Sequence, residues 1–410
     1  MLDFASLAQL TMERCDSLGA ISQNASFIDR RYLTAEHMQA NALVTEWMQQ
    51  AGMTCWQDQA ANCWGRYVSS NPDAKRLIIG SHLDTVPNGG RYDGMMGVLA
   101  PLALIHGYHE SGIALPFHVD IVGFGDEEGT RFGSTLLGSR ALTGNWPDQW
   151  EHLADSNGIT VSDALATVGL DFHQVKKAAL PKENLLAFLE LHIEQGPVLE
   201  QQNLPVGVVT AIAGARRIEF TVTGMAGHAG TVPMHMRQDA LCATSEMILM
   251  VEKLAKEGGV VATVGKVLNK PNGVNVISGQ TVFTLDIRSE NDEQRDNVLA
   301  DIQQHVSEIA NKRDVNISQR ETHNADAVSC DLDLQQVLST AISKTGYRPL
   351  HLASGAGHDA MEMAKLCPMA MLFMRCHKGI SHHPDESVLE VDVKVALEVL
   401  NNTLVALSKS

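Results

Sequence analysis

At 410 residues and 44.5 kDa the chain is longer than one ordinary hydrophobic core requires, so two domains are expected. A formal charge of -17 argues against a nucleic-acid partner, which needs clustered Lys and Arg, while 44% hydrophobic against 19% charged residues is a globular balance. Seven cysteines, odd in number and without a C-x-x-C pair, predict free thiols and a reduced, cytoplasmic setting, and neither a leader pattern nor a membrane-length apolar stretch is visible.

Residues 35–51 have the pattern of an amphipathic helix, with Met38, Ala42, Leu43 and Trp47 on one face. Arg76 to Gly80 (RLIIG) is a short apolar run that suits a buried strand, and His82 and Asp84 follow it. Phe117 to Phe124 (FHVDIVGF) is a second such strand, with Asp126, Glu127 and Glu128 just beyond. Leu186 to Ile193 (LAFLELHI) repeats the pattern with His192 near its end. Open α/β sheets build their sites at the carboxyl ends of strands. Candidate ligands at three such ends in succession therefore point to one site.

From about Ala211 the texture changes. Ile218 to Gly224 alternates like a half-exposed strand, and residues 237–256 carry Leu241, Ile248, Val251 and Leu254 at helical spacing. Strands are predicted over Val260–Val267 and Thr281–Ile287, a helix over about Asp292–Lys312 with Leu299, Ile302, Val306 and Ile309 inward, and a strand over Val315–Gln319. The order β-α-β-β-α-β is that of a ferredoxin-like unit. Helix and strand patterns then return over Leu332–Thr345, Met369–Met374 and Val391–Leu407. The fold class expected is α/β: a catalytic domain with a mixed sheet flanked by helices, formed by residues 1–210 and 328–410, interrupted by a βαββαβ domain over 211–327.

Five residues could ligate metal, each in its own short context: His82 in GSHLDT, Asp93 in GGRYDG, Glu128 in GDEEGTRF, His192 in ELHIEQG and His382 in GISHHP. Three imidazoles and two carboxylates suit a pair of zinc- or manganese-like ions, three ligands each if one carboxylate bridges. Singly, each has an ordinary explanation. His82 and Asp84 could be a surface pair, Asp93 a turn residue between glycines, and the acidic triplet a solvated loop. Yet Asp84 is also placed to orient a ligating histidine, and adjacent Glu residues suit a base beside a ligand. His228 in GMAGHAGT and His358 in SGAGHDA sit among small residues where backbone can approach a ligand, or are histidines in capped turns. Arg288 in LDIRS and Asn275 in PNGVNVI read alone as structural hydrogen-bonding groups.

Together the motifs GSHLDTVPNGGRYDG, EEGTRF, ELHIEQGPVLE, GHAGTVPM, PNGVNVI, LDIRS, SGAGHDA and GISHHP, in order over nearly the whole chain, resemble the M20-type metallo-amidohydrolases. The resemblance is to the branch of allantoate amidohydrolases, N-carbamoyl-L-amino acid hydrolases and β-ureidopropionases. It implies two divalent ions, zinc or manganese, one held by His82, Asp93 and His192 and the other by Asp93, Glu128 and His382, with Asp93 bridging. It further implies Glu127 as general base, Asp84 as the partner behind a ligand, and His382 rather than His383 as the ligand. A substrate pocket of Gln195, Arg216, His228, Asn275 and Arg288, with Gly357 and His358 nearby, is implied as well. Relatives of this kind are homodimers through the inserted domain, with some pocket groups coming from the partner subunit.

The chemistry expected is hydrolysis of the carbamoyl or ureido C–N bond of a small ureido acid, allantoate foremost and thus a role in purine catabolism, with His228 helping to stabilise an oxyanion and Arg288 clasping a carboxylate. N-carbamoyl-L-amino acids and N-carbamoyl-β-alanine are the alternative substrates. A peptidase or deacylase of the wider M20 group would need neither Arg288 in its context nor the ELHIEQG form, and a non-catalytic binding protein would have lost a ligand or Glu127.

Overall fold

The computed structural model describes residues 2–409. Two compact units divide them, one running through Thr210 with Cys330–Leu352 and the residues from Ala356 onward, the other Ala211–Ser329 with Ala353–Gly355. All seven cysteines are free thiols. No helix among the described residues is long and apolar enough to cross a membrane.

The first unit opens with α1 (Phe4–Gly19), capped by the Asp3 carboxylate, and α2 (Ala35–Gln50), capped by the Thr34 hydroxyl. The inward stripe of α2 is His37, Ala40, Asn41, Val44 and Met48, displaced from the expected Met38, Ala42, Leu43 and Trp47, and Ala42 is exposed. The cause is polar residues on the buried face: Asn41 donates to the Ala61 carbonyl at 2.9 Å, and a pattern of apolar residues scores such positions as outward. The strands β1 (Thr54–Gln57) and β2 (Cys63–Tyr67) pair antiparallel. Then come β3 (Arg76–His82), α3 (Met95–Glu110), β4 (His118–Phe124), β5 (Leu185–Ile193) and β6 (Val206–Ile212). Every residue of β4 is buried, and α3 is buried without a break from Met95 to Ile105, as a helix covered on all sides must be.

The second unit holds β7 (Gly214–Thr223), β8 (Gly227–His228), α4 (Ala240–Gly258), β9 (Val261–Thr263), β10 (Val267–Lys270), β11 (Val276–Ile277), β12 (Gln280–Ser289), α5 (Asp292–Lys312), β13 (Asn316–Ala325) and β14 (Val328–Ser329). Its main sheet runs β10-β12-β7-β13, all antiparallel, the strand order of a ferredoxin-like βαββαβ unit. Ile218, Phe220, Phe283 and Leu285 of the sheet pack against Met247 and Val251 of α4 and Leu299, Ile302 and Val306 of α5. Two expectations need correction. The single strand over Val260–Val267 is two strands: Val264, Gly265 and Lys266 stand opposite only Thr284 and Leu285 of β12, and the extra residue interrupts the ladder as a bulge. The inward face of α4 is Ala240, Ala243, Thr244, Met247, Val251 and Ala255, while Leu241 is exposed, because small residues let the helix settle close to the sheet.

The chain returns through α6 (Leu332–Ser343), β15 (His351–Ser354), β16 (Met369–Met374) and α7 (Glu390–Leu407). The sheet of the first unit has the order β1-β2-β4-β3-β5-β16-β6, with β15 also on β6 and β14 paired to the end of β6. Its centre, β4-β3-β5-β16, is parallel and its flanks antiparallel, a mixed sheet with helices packed on it. Parallel pairing sets His82 beside Phe124 and His192 beside Phe373, so the carboxyl ends of these strands open onto one edge.

Candidate metal centre

His82 is the last residue of β3 and His192 the next to last of β5, both buried. Asp93 lies in the loop between β3 and α3, Glu127 and Glu128 in the loop after β4, and His382 in the loop after β16. Their donor atoms converge. His82, Asp93 and His192 form one group whose donors lie within 4.8 Å of one another, and Asp93, Glu128 and His382 form another, with Asp93 common to both. Asp93 Oδ1 is 3.1 Å from His192 Nε2 and 3.8 Å from His82 Nε2, while Oδ2 is 3.1 Å from His382 Nε2. The same His382 nitrogen is 3.3 Å from Glu128 Oε1.

The chemistry of this donor set fits divalent cations. His82 Nδ1 is 3.0 Å from the Asp84 carbonyl and 3.4 Å from its Oδ1, and His192 Nδ1 is 2.9 Å from the Ile193 carbonyl. Both rings therefore carry a proton on Nδ1 and turn Nε2 toward Asp93, the orientation of a ligating histidine. His192 Nε2 is buried and, despite its closeness to Asp93, is not aligned for a hydrogen bond to any described residue. The electrostatics agree. Burial alone would raise the Asp93 carboxyl, but the facing imidazoles of His192, His382 and His82 hold it well below the ordinary range. Asp93 and Glu128 lift His382 to about 10. Burial pushes Glu127 well up, His82 opposing and Glu128, Asp359 and Asp84 adding to the rise. The cluster takes up positive charge, as protons or as metal ions.

The loops are built for this. The Asp84 carboxylate accepts from the amides of Glu127 at 3.0 Å and Glu128 at 3.3 Å, tying the loop after β4 to the end of β3. Gly94 has φ +70°, and a Cβ there would run into the His82 ring, so the turn into α3 requires glycine. Gln195 and His382 are non-glycine residues with φ +56° and +55°, left-handed backbone of the kind held at functional sites by surrounding contacts.

A profile of peptidase family M20/M25/M40 matches residues 78–406. The chain belongs to this M20 family. It is 38% identical over 394 residues to the N-carbamoyl-L-amino acid amidohydrolase of Geobacillus stearothermophilus, covering 96% of each chain. It is also 38% identical to the allantoate deiminase of Arabidopsis thaliana, over 96% of this chain and 81% of that one. Among solved structures it resembles a hydantoinase/carbamoylase family amidase from Burkholderia multivorans, with TM-score 0.92, 30% identity and coverage of 100% and 98%.

The other residues singled out for this M20 protein fall in both units. In the first, Gln195 Nε2 donates to Asp93 Oδ2 at 2.9 Å, His358 is buried edge-on to His192 with ring centroids 4.5 Å apart, and a Cβ on Gly357 would lie 3.7 Å from Glu127 Oε1. His383 is exposed and accepts from the Asp385 amide, away from the cluster. In the second, His228 pairs with Val276 on the two-stranded β8–β11 ribbon and accepts from the Gly230 amide, and Asn275 is exposed. Arg216 is held by Glu321 at 2.6 Å and Asp296 at 3.3 Å. Arg288 makes a side-on pair with Asp286, at 2.8 and 3.0 Å, and donates to the Gly355 carbonyl, beside a cavity of about 890 Å³ that Arg217, Val261 and Leu285 also line.

Three partners escaped the sequence. Ser381 Oγ is 2.9 Å from Asp93 Oδ2, the Glu386 carboxylate accepts from the Tyr92 and Asp93 amides, and Glu190 accepts from the Ser81 hydroxyl beneath the cluster. Glu386 lies four residues past His382 in HHPDES; proximity to a candidate ligand motif was the one signal available.

Proposed function

We propose that this M20-family hydrolase cleaves the carbamoyl or ureido C–N bond of a small acid through a dinuclear centre in the first unit, with allantoate as the leading substrate. The observation that carries it is the pair of donor groups sharing Asp93, with Glu127 beside them. His82, Asp93 and His192 would hold one divalent ion, zinc or manganese, and Asp93, Glu128 and His382 the other. When bound, the ions lower the pKa of a water at the site and offset negative charge developing on the substrate oxygen.

The chain's own groups supply the rest. Glu127 takes the proton from the water and returns it to the departing nitrogen; burial, which raises its pKa, favours the protonated form it must pass through between the two transfers. Asp84, through the Glu127 amide, sets where that carboxylate points. Gln195 Oε1 is buried without a hydrogen-bond partner among the described residues, an acceptor ready for a ureido N–H. Arg288 is the carboxylate receptor: Asp286 occupies one edge of the guanidinium and the Gly355 carbonyl one N–H of Nη1, which leaves two N–H groups for a substrate anion. His228 would be the donor to the oxyanion, and Arg216, Asn275, Gly357 and His358 are the remaining residues proposed to contact substrate. Two copies associating through the second unit belong to this reading, supported by Met225, Met234, Met236, Leu249 and Val274, all large apolar side chains exposed there. A solution mass of twice 44.5 kDa is expected, and a monomer at micromolar concentration would count against it.

The equal identity to a carbamoyl-amino acid amidohydrolase favours a second reading, an N-carbamoyl-L-amino acid as substrate. A panel of allantoate, N-carbamoyl-β-alanine, N-carbamoyl-L-amino acids and their amides, with manganese and zinc added separately, separates the two. Ammonia release should be fastest with allantoate and poor with every analogue lacking the carboxylate; a carbamoyl-amino acid in first place transfers the assignment, and full activity on the amides removes Arg288 from its role.

A further inference from the structure

We infer that Glu386 is a positioning residue that governs the second metal position, the one framed by Asp93, Glu128 and His382; the inference rests on the dinuclear reading above. Glu386 is buried, at 4% exposure, in the loop that also carries His382. Its Oε1 accepts from the Tyr92 amide at 2.9 Å and the Asp93 amide at 3.1 Å, and its Oε2 lies 3.1 Å from Ser381 Oγ. Two of these bonds join segments more than 290 residues apart in sequence. The 83–94 loop is folded down onto this carboxylate, since a Cβ on Gly90 would strike it.

Ser381 completes a closed ring of contacts. Its hydroxyl lies between Glu386 Oε2 and Asp93 Oδ2, one proton for two carboxylates, so the three side chains act as one unit. The next residue is His382, whose left-handed backbone, with φ +55°, is disfavoured for a residue with a Cβ and must be held by its neighbours. Glu386 thus fixes the main chain at Asp93 and the residue before His382, the carboxylate and the imidazole that face each other at 3.1 Å. His82 and His192 hang from β3 and β5 and owe their orientation to the Asp84 and Ile193 carbonyls. Asp93 serves both positions, but Ser381 holds its Oδ2, the oxygen turned to His382, while Oδ1 faces His192 and His82; loss of Glu386 should therefore loosen the His382 position more than the other.

The test is zinc affinity, measured by chelator competition on the parent, Glu386→Ala, Glu386→Gln and Ser381→Ala, with the cobalt-substituted absorption spectrum followed through each equivalent. The parent should bind two zinc ions per subunit. In Glu386→Ala the weaker equivalent should lose about tenfold to a hundredfold in affinity while the tighter stays within about threefold, and only the second cobalt equivalent should change its spectrum. Glu386→Gln keeps an oxygen for the two amides and a donor for Ser381, and should recover part of the loss. Ser381→Ala, a half-buried and milder change, should shift the same equivalent less, and it decides the matter if Glu386→Ala does not fold. Both equivalents unchanged, or both weakened alike, overturns the inference while leaving the dinuclear reading intact. A parent that binds fewer than two zinc ions overturns that reading and the inference with it.

Discussion

Asp93 turns one oxygen to His192 and the other to His382, and it is common to the two donor groups proposed to hold metal. Glu127 groups with His82 and Glu128 but with no set that contains Asp93, so the proposed function gives it a proton to carry and leaves the two Asp93-centred groups complete without it. Glu127→Gln should accordingly keep its metal content and lose on the order of a hundred- to ten-thousand-fold in turnover, the range general acid–base groups supply. Metal analysis alongside kcat checks it: near-parental turnover at full metal content would assign the base elsewhere. At this scale the sequence was legible wherever a residue type and its flanking glycines or strand end singled out side chains that the fold brings together, as at His82, Asp93 and His192. It was mute where the role is a hydrogen bond across a fold. Ser381 and Glu386 have no pattern around them, and Gln195, expected in the substrate pocket, also donates to Asp93 through a left-handed backbone that no motif reveals.

Elements were legible in proportion to how far apolar side chains alone determine burial. β16 and α5 begin and end where their patterns predict, over Met369–Met374 and Asp292–Lys312, because Leu299, Ile302, Val306 and Ile309 bury a stripe that nothing polar interrupts. On α2 and α4 the inward faces are built from His37, Asn41, Ala243 and Thr244, and the helices rotate away from the face that hydrophobicity selects. The bulge at Val264–Lys266 has a similar origin: an apolar run predicts one strand, yet the register of β12 admits two residues where the chain brings three. None of these departures touches the strand ends that present the candidate ligands. β3, β4 and β5 are parallel and buried, so their lengths and register are dictated by continuous apolar runs, the clearest signal a sequence carries.

For the whole molecule, an inserted ferredoxin-like unit was legible from the change of texture near Ala211, while the crossing at Cys330 and the excursion of Ala353–Gly355 depend on tertiary pairing that no local pattern encodes. His37 was not distinguished by any motif, yet it makes stability depend on pH. Its ring is buried on the inward face of α2, edge-on to Tyr32 at 5.7 Å, with neither nitrogen hydrogen-bonded among the described residues. Burial holds its pKa down to about 4 against an ordinary 6.5, with Arg30 and Arg131 adding to the effect and Asp84 opposing it. Between those values the unfolded chain binds a proton that the folded chain does not. Stability contributed by the neutral ring is therefore complete above about pH 6.5 and is lost as pH falls toward 4, amounting to about 2 kcal/mol by pH 5. His37→Leu, of similar volume and without a titrating group, removes this dependence. Urea unfolding of both proteins at pH 7.5 and pH 5, with chelator present so that metal binding contributes nothing, should show the parent losing about 2 kcal/mol more than the variant on acidification. Equal losses would mean that His37 is protonated or solvated in the folded protein, and that its burial against Tyr32 has no bearing on the acid limb of stability.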